Sequence, residues 1–255
     1  MSKRIPVIAA NWKMYKTKDE ALAFIFAVNE KVPARTQVES VICSPSILLN
    51  LLVKREGENL RIGAQNMHYL EEGAYTGENS PLQVKSAGAE YILIGHSERR
   101  SYYNETDETV NLKMIAAFKH ELTPILCVGE VLSEREPGST KAVLDAQLEK
   151  AFLNVTAEQA LSTIIAYEPV WATGTGKTAT PQMANDTIKD VRAKVEALYG
   201  KAVADGIRIL YGGSVKPDNI KVLLEESDID GALIGGAALD PNNFLVFTEA
   251  AANKK

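Results

Sequence analysis

The chain has 255 residues, 45% hydrophobic and 24% charged, with a formal net charge of −5. That composition suits a globular protein with a core large enough to need no staples, and it offers no basic footprint for nucleic acid or an anionic membrane. Cys43 and Cys127 lie inside apolar runs; two cysteines are too few for a disulfide framework or a structural zinc site, which points to a reducing, cytoplasmic setting.

The opening MSKRIPVIAANWKM has an apolar run that stops at Asn11 and Lys13. It is too short for a signal peptide, and no other stretch is apolar for long enough to span a membrane. Eight short apolar runs follow one another at residues 6–10, 38–43, 60–65, 91–95, 124–129, 163–167, 208–212 and 231–235. Several, such as YILIG, PILCVG and GALIGG, are almost continuously apolar, as strands buried on both faces of a parallel sheet are. Residues 18–32, 106–122 and 141–152 read as helices between them. After Pro181, apolar residues fall at Ala184, Ile188, Val191, Val195 and Leu198. That spacing keeps one helix face apolar until Gly200 ends it, with Thr180 as N-cap and Pro181 in the first turn. Eight β–α units over residues 1–255, with no linker between them, predict a single-domain α/β protein, a (β/α)8 barrel. An open doubly wound sheet would want a glycine-rich turn after its first strand, where this chain has NWKM.

In such a barrel the chemistry gathers at the C-terminal ends of the strands. Asn11 and Lys13 end the first strand, and alternation predicts that they share a side. The third loop, NMHYLEEGAYTGENSP, has glycines, two tyrosines and an apolar tip. It is expected to dock against a second copy of the chain, with His68 structural. The fourth strand ends ILIGHSERR. A short helix starting at Ser97 would set its positive dipole end beside His96 and keep the imidazole neutral, a hydrogen-bond donor rather than a cation; the plainer alternative is a histidine satisfied by local backbone. Glu98 has two candidate partners, Lys13 or an arginine. The fifth strand ends near Glu130, which is assigned no role. The sixth ends in AYEPVWATGTGKTATP. There Glu168 reads either as a solvated glutamate or as a catalytic carboxylate beside a loop. The seventh and eighth strands end YGGSV and IGGAA. Paired glycines there let backbone N–H groups approach a ligand, and a short helix after the eighth strand would complete an anion site. GTGKT is a decoy: a nucleotide P-loop needs glycine at position 171, which is Trp.

AANWKM, GAYTGENS, ILIGHSERR, AYEPVWATGTGKTATP, ILYGGSV and GALIGGAAL, in that order, resemble the triosephosphate isomerase family over essentially the whole chain. The resemblance implies a homodimeric TIM barrel that interconverts dihydroxyacetone phosphate and D-glyceraldehyde 3-phosphate through an enediolate, in glycolysis and gluconeogenesis, with no cofactor and no metal. Carried over by position, Glu168 is the base moving a proton between C1 and C2, and His96 is the neutral electrophile at the carbonyl. Lys13 stabilises the enediolate, Asn11 orients the substrate and Glu98 supports Lys13. Gly174, Ser214, Gly235 and Gly236 hold the phosphate, residues 169–179 form a lid, and residues 73–78 reach into the partner. The chain departs from the family at Thr173, where Ile is usual. If that side chain packs in the closed lid, the change loses roughly 1 kcal/mol and loosens closure. Another phosphate-binding barrel would explain the two glycine pairs but not Asn11, Lys13, His96 and Glu168 together. A catalytically silent barrel predicts a broken set, and all four positions are filled.

Overall fold

The apolar runs become strands at nearly their predicted limits: β1 Val7–Asn11, β2 Glu39–Ser44, β3 Leu60–Ala64, β4 Tyr91–Ile94, β5 Thr123–Val128, β6 Ile164–Tyr167, β7 Arg208–Tyr211 and β8 Gly231–Ile234. In this computed structural model, which describes residues 4–172 and 179–254, each strand pairs in parallel with the next. β8 returns to β1 with Val7 opposite Gly231, closing the barrel. Alternate residues of each strand face opposite ways. Outward residues such as Ile8, Ile62 and Ile165 pack with helix residues including Phe24, Ile188 and Phe244. Inward residues form a separate core of Val7, Ala9, Val41, Cys43, Tyr91, Leu93, Ile125, Cys127, Ile164, Ala166, Leu210 and Leu233. Both cysteines are buried thiols, and burial pushes Cys43 up to about 12. No helix among the described residues is long and apolar enough to cross a membrane.

The helix Pro181–Tyr199 starts as its sequence predicts. The Met183 N–H donates to the Thr180 hydroxyl oxygen at 3.2 Å, and Gly200 ends the helix at φ +85°. Other ends differ. The helix expected over 18–32 stops at Val28; turns follow, with the Val32 N–H donating to the Val28 carbonyl at 3.1 Å, and Pro33 bars continuation past Val32. The one expected over 106–122 spans Asp107–Lys119, capped by Thr106 and followed by Glu121 at φ +52°. Short helices such as Ala157–Ser162 and Lys201–Gly206 lack the length for a periodic signal.

Candidate active site

The inward alternation continues one step past each core layer. Above Ala9 comes Asn11, above Gly63 comes Gln65, and above Ala166 comes Glu168. Above Cys127, Leu210 and Leu233 come Gly129, Gly212 and Gly235. This uppermost layer mixes three polar side chains with glycines, which leaves a cavity of about 480 Å³ at the C-terminal mouth of the barrel.

Glu168 is 7% exposed. Its backbone N–H donates to the Val128 carbonyl at 2.8 Å, and the Gly212 N–H donates to the Tyr167 carbonyl at 2.7 Å, so the sheet carries the residue into place. Two of its neighbours are glycines, and a larger residue would collide at the first and crowd at the second. A Cβ on Gly129 would lie 1.9 Å from the Glu168 carbonyl oxygen, and one on Gly212 would lie 3.0 Å from the Glu168 Cγ. The carboxylate accepts from the Ser97 N–H at 3.0 Å, from the Ser97 hydroxyl at 3.2 Å and from His96 Nε2 at 3.0 Å. Burial raises its pKa, but the His96 ring and the Ser97 donors outweigh burial and hold it below the usual carboxylate value.

His96 reaches the mouth by a local device. Alternation alone would turn it outward, since Ile92 and Ile94 face the helices. Gly95 at φ +75° takes the chain out of that alternation. The helix Ser97–Tyr102 begins directly after His96, and the Glu98 N–H donates to His96 Nδ1 at 3.2 Å. A nitrogen that accepts carries no proton, so Nε2 bears the hydrogen and points it at Glu168. Burial lowers the imidazole's pKa, while the touching Glu168 carboxylate, with Glu98 behind it, raises it by more; the net direction here is up. The raising contact depends on where Glu168 stands. Burial, Lys13 and the helix N–H all disfavour imidazolium once that carboxylate moves away.

Lys13 joins them by a route that alternation does not describe. β1 ends at Asn11, and Lys13 adopts φ +51°, its N–H donating to Asn11 Oδ1 at 2.9 Å. Both residues line the cavity, as expected, through a left-handed turn rather than a continued strand. The Lys13 ammonium pairs with Glu98 at 2.7 Å, the first of the two partners considered for Glu98. Lys13 also crosses over Gly235, where a Cβ would lie 3.1 Å from its Cε.

Ser214, Gly235 and Gly236 border the same cavity. A short 3-10 helix, Gly236–Leu239, follows β8, and the N–H groups of Gly235 and Gly236 meet no acceptor among the described residues. The Tyr211 hydroxyl lies close beside the turn that follows β7. The pair after β7 has a second cause besides ligand approach, because a Cβ on Gly213 would lie 2.2 Å from that hydroxyl oxygen. Gly174 and Thr173, within the loop 169–179, lie outside the described residues.

Three contributors went unread in the sequence. Ser97 donates twice to Glu168. Gln65 lies in the uppermost layer, where period-two alternation through Arg61 and Gly63 would have found it. Glu130, given no role, is fully buried, and its Oε1 accepts from the Tyr167 hydroxyl at 3.1 Å and from Arg135 at 3.0 Å. Its carbonyl accepts from the Trp171 N–H at 3.2 Å, and the Arg135 guanidinium lies 4.5 Å over the Trp171 ring. Glu130 thus grips the chain on both sides of Glu168.

A closed (β/α)8 barrel with a buried carboxylate, an imidazole donor and an ammonium at its C-terminal mouth has the parts of an enzyme that moves protons on a small anionic substrate. The family model described as triosephosphate isomerase matches residues 6–251. A protein named triosephosphate isomerase from Onion yellows phytoplasma (strain OY-M) is 51% identical over 251 residues, 98% of this chain and 92% of that relative. The chain belongs to the triosephosphate isomerase family.

Proposed function

We propose that this chain interconverts dihydroxyacetone phosphate and D-glyceraldehyde 3-phosphate through an enediolate, with Glu168 as the base and His96 as the hydrogen-bond donor to the carbonyl. The observation that carries the reading is the His96 Nε2–Glu168 Oε1 contact of 3.0 Å between two groups less than one-tenth exposed. Removing a proton α to a carbonyl needs a base and an oxyanion partner in reach of one substrate. While Ser97 and His96 donate to it, Glu168 is a weak base. Moving it off those donors onto the substrate carbon removes what depresses its pKa and makes it a stronger one. The same movement frees the His96 Nε2–H for the substrate oxygen. Lys13, backed by Glu98, balances the charge that grows on the enediolate, and Asn11 orients the substrate beside it. Gly235, Gly236 and Ser214, with Gly174, hold the phosphate. Binding energy gathered at the phosphate, remote from the reacting carbons, then serves the chemical step. The proton itself is carried by Glu168 between C1 and C2, so the reaction calls for no cofactor.

The chain acts in this reading as a cytoplasmic homodimer at one step of glycolysis. The support for a dimer is a second cavity of about 340 Å³, lined by Met14, Gln65 and Tyr103 beside Asn11 and Lys13. Met14 in its lining is 94% exposed, and Ile47 and Tyr102, next in sequence to its lining residues Ser46 and Tyr103, are 88% and 76% exposed, apolar surface that a monomer would leave in water. The loop 73–78 supplies the matching projection. His68 stiffens its base, stacked at 4.4 Å against both Tyr69 and Tyr75.

The test gives purified protein glyceraldehyde 3-phosphate in deuterated water, beside a Glu168→Asp variant. Rapid isomerisation with deuterium at C1 is expected, and a loss of about 100-fold or more when the carboxylate is set back by one methylene. No conversion by folded protein refutes the activity. Full activity in the variant refutes the base assignment.

A further inference from the structure

We infer that Lys16 is a positioning residue for the phosphate seat: its ammonium holds the far end of the short segment after β8 that presents Gly235 and Gly236 to the cavity. The inference rests on the phosphate role proposed for those glycines. The segment is the 3-10 helix Gly236–Leu239. It is too short to fix its own direction, since 3-10 hydrogen bonds are poorly aligned and only a few can form. Inside it the Ala238 N–H donates to the Gly235 carbonyl at 2.9 Å. Two side-chain donors reach it from outside. Asn243 Nδ2 donates to the Ala237 carbonyl at 3.2 Å, and Lys16 Nζ donates to the Leu239 carbonyl at 2.9 Å. Asn243 belongs to the helix that follows, Pro241–Ala252, so it anchors the segment only to its own continuation. Lys16 comes from the loop after β1 and ties the segment to the other side of the barrel's closing seam.

The lysine is built into that place. Its backbone sits at φ +73°, a state that a residue bearing a Cβ adopts at a cost its surroundings must offset. Its ammonium lies 5.3 Å from the centre of the Trp12 ring and 5.0 Å from that of Phe24, within cation–π reach of both. Both rings are buried and meet edge to face at 5.0 Å, so the cation rests on a rigid part of the core. The same loop also grips the near end of the segment, because the Lys13 Cε passes over Gly235. Lys13 and Lys16 thus stand at the two ends of residues 235–239. One loop sets the spacing between the ammonium proposed to serve the enediolate and the N–H groups proposed to serve the phosphate. Removing the Lys16 donor frees the Leu239 end and lets the glycine N–H groups turn away from the anion.

The experiment measures kcat/KM of the full chain for glyceraldehyde 3-phosphate and, by deuterium exchange, for unphosphorylated glyceraldehyde. Lys16→Met keeps a stem against the two rings and removes the charge and the donor. It is expected to lower kcat/KM for the phosphorylated substrate about fivefold, and to raise the inhibition constant of inorganic phosphate by a similar factor. The value for glyceraldehyde is expected to stay within about twofold, because that substrate draws nothing from the phosphate seat. The loss is expected to persist at about 1 M salt, where the Debye length is about 3 Å. An equal loss on both substrates shows general loosening, no loss on either shows that Lys16 holds nothing, and a loss that vanishes at high salt shows distant charge acting alone. Each of these overturns the inference. Lys16→Gly, which suits the φ +73° backbone, carries the same expectations and takes the place of Lys16→Met if that variant does not fold. An inactive wild-type chain would instead refute the proposed function, and one that turns over both substrates alike would refute the phosphate seat. A wild type that prefers the phosphorylated substrate, matched by its variants, refutes the Lys16 role alone.

Discussion

Replacing Glu130 by Gln tests whether the chain around Glu168 is held by charge or merely by shape. The substitution keeps the volume and removes the carboxylate that accepts from the Tyr167 hydroxyl and the Arg135 guanidinium. Hydrogen bonds to a charged group are worth about 1.5–3 kcal/mol when buried. Arg135 is 25% exposed on its side chain while Glu130 is fully buried, so water recovers part of the loss on one side, and about 2 kcal/mol is the expected destabilisation. The consequence for activity follows from position. Tyr167 immediately precedes Glu168, and Arg135 stacks on the Trp171 ring. Loosening both sides by a fraction of an ångström is expected to lower kcat about tenfold, since misplacement of 1 Å costs on the order of 100-fold. Urea unfolding measures the first quantity and steady-state isomerisation the second, at one pH and one protein concentration. A variant destabilised by about 2 kcal/mol with unchanged kcat would show the network to be structural only. Unchanged stability would refute the energy assigned to these bonds.

Two further outcomes concern a half-buried carboxyl and the third loop. Glu56 is half-buried, and burial, aided by Glu90 and opposed by Arg61, lifts its carboxyl to about 7; the Ile62 N–H donates to it at 3.1 Å. A folded-state pKa above the unfolded value means stability that is fully present below the unfolded pKa and lost as pH rises through about 7. Glu56→Gln keeps the acceptor without the charge, so its melting temperature relative to wild type is expected to climb between pH 5 and pH 8, by the equivalent of about 1 kcal/mol after discounting for exposure; a constant difference refutes the linkage. Tyr75, 48% exposed at the tip of the third loop, is expected to meet a partner subunit. Tyr75→Asp should shift sedimentation toward monomer at micromolar protein and lower activity in a way that higher protein concentration restores, and a variant that stays as dimeric as wild type refutes that contact.

What the amino-acid order makes legible, and what it hides, divides along physical lines. A strand buried on both faces is apolar throughout, so the eight strands could be read from short apolar runs, and Asn11 and Glu168 from their places at the strand ends. His96 and Lys13 could be seen as strand-end residues, but not how they turn into the site, because each depends on a single positive φ, at Gly95 and at Lys13 itself. A dihedral angle of that kind leaves no periodic trace, and for lysine it leaves no compositional one either. Helix ends were blurred for a related reason: Pro33 announces a stop, whereas Glu121 enters left-handed geometry without any residue type that requires it.

The glycines show the opposite case, a legible signal with a second meaning. Paired glycines after β7 and β8 read as room for a phosphate. Yet a side chain on Gly129 would run into the Glu168 carbonyl, one on Gly213 into the Tyr211 hydroxyl, and one on Gly212 would crowd the Glu168 Cγ. Gly129, a lone glycine, attracted no reading at all. In the uppermost inward layer, the absent side chains of β5, β7 and β8 are the mould around the side chains that remain on β1, β3 and β6. A carboxylate that must leave Ser97 and reach a substrate needs space on the side where it lands as much as donors on the side where it rests. Gly212, whose absent side chain would press on that Cγ, borders that space, so under the proposed mechanism the glycine pattern at the barrel mouth serves the movement of the base as well as the binding of an anion.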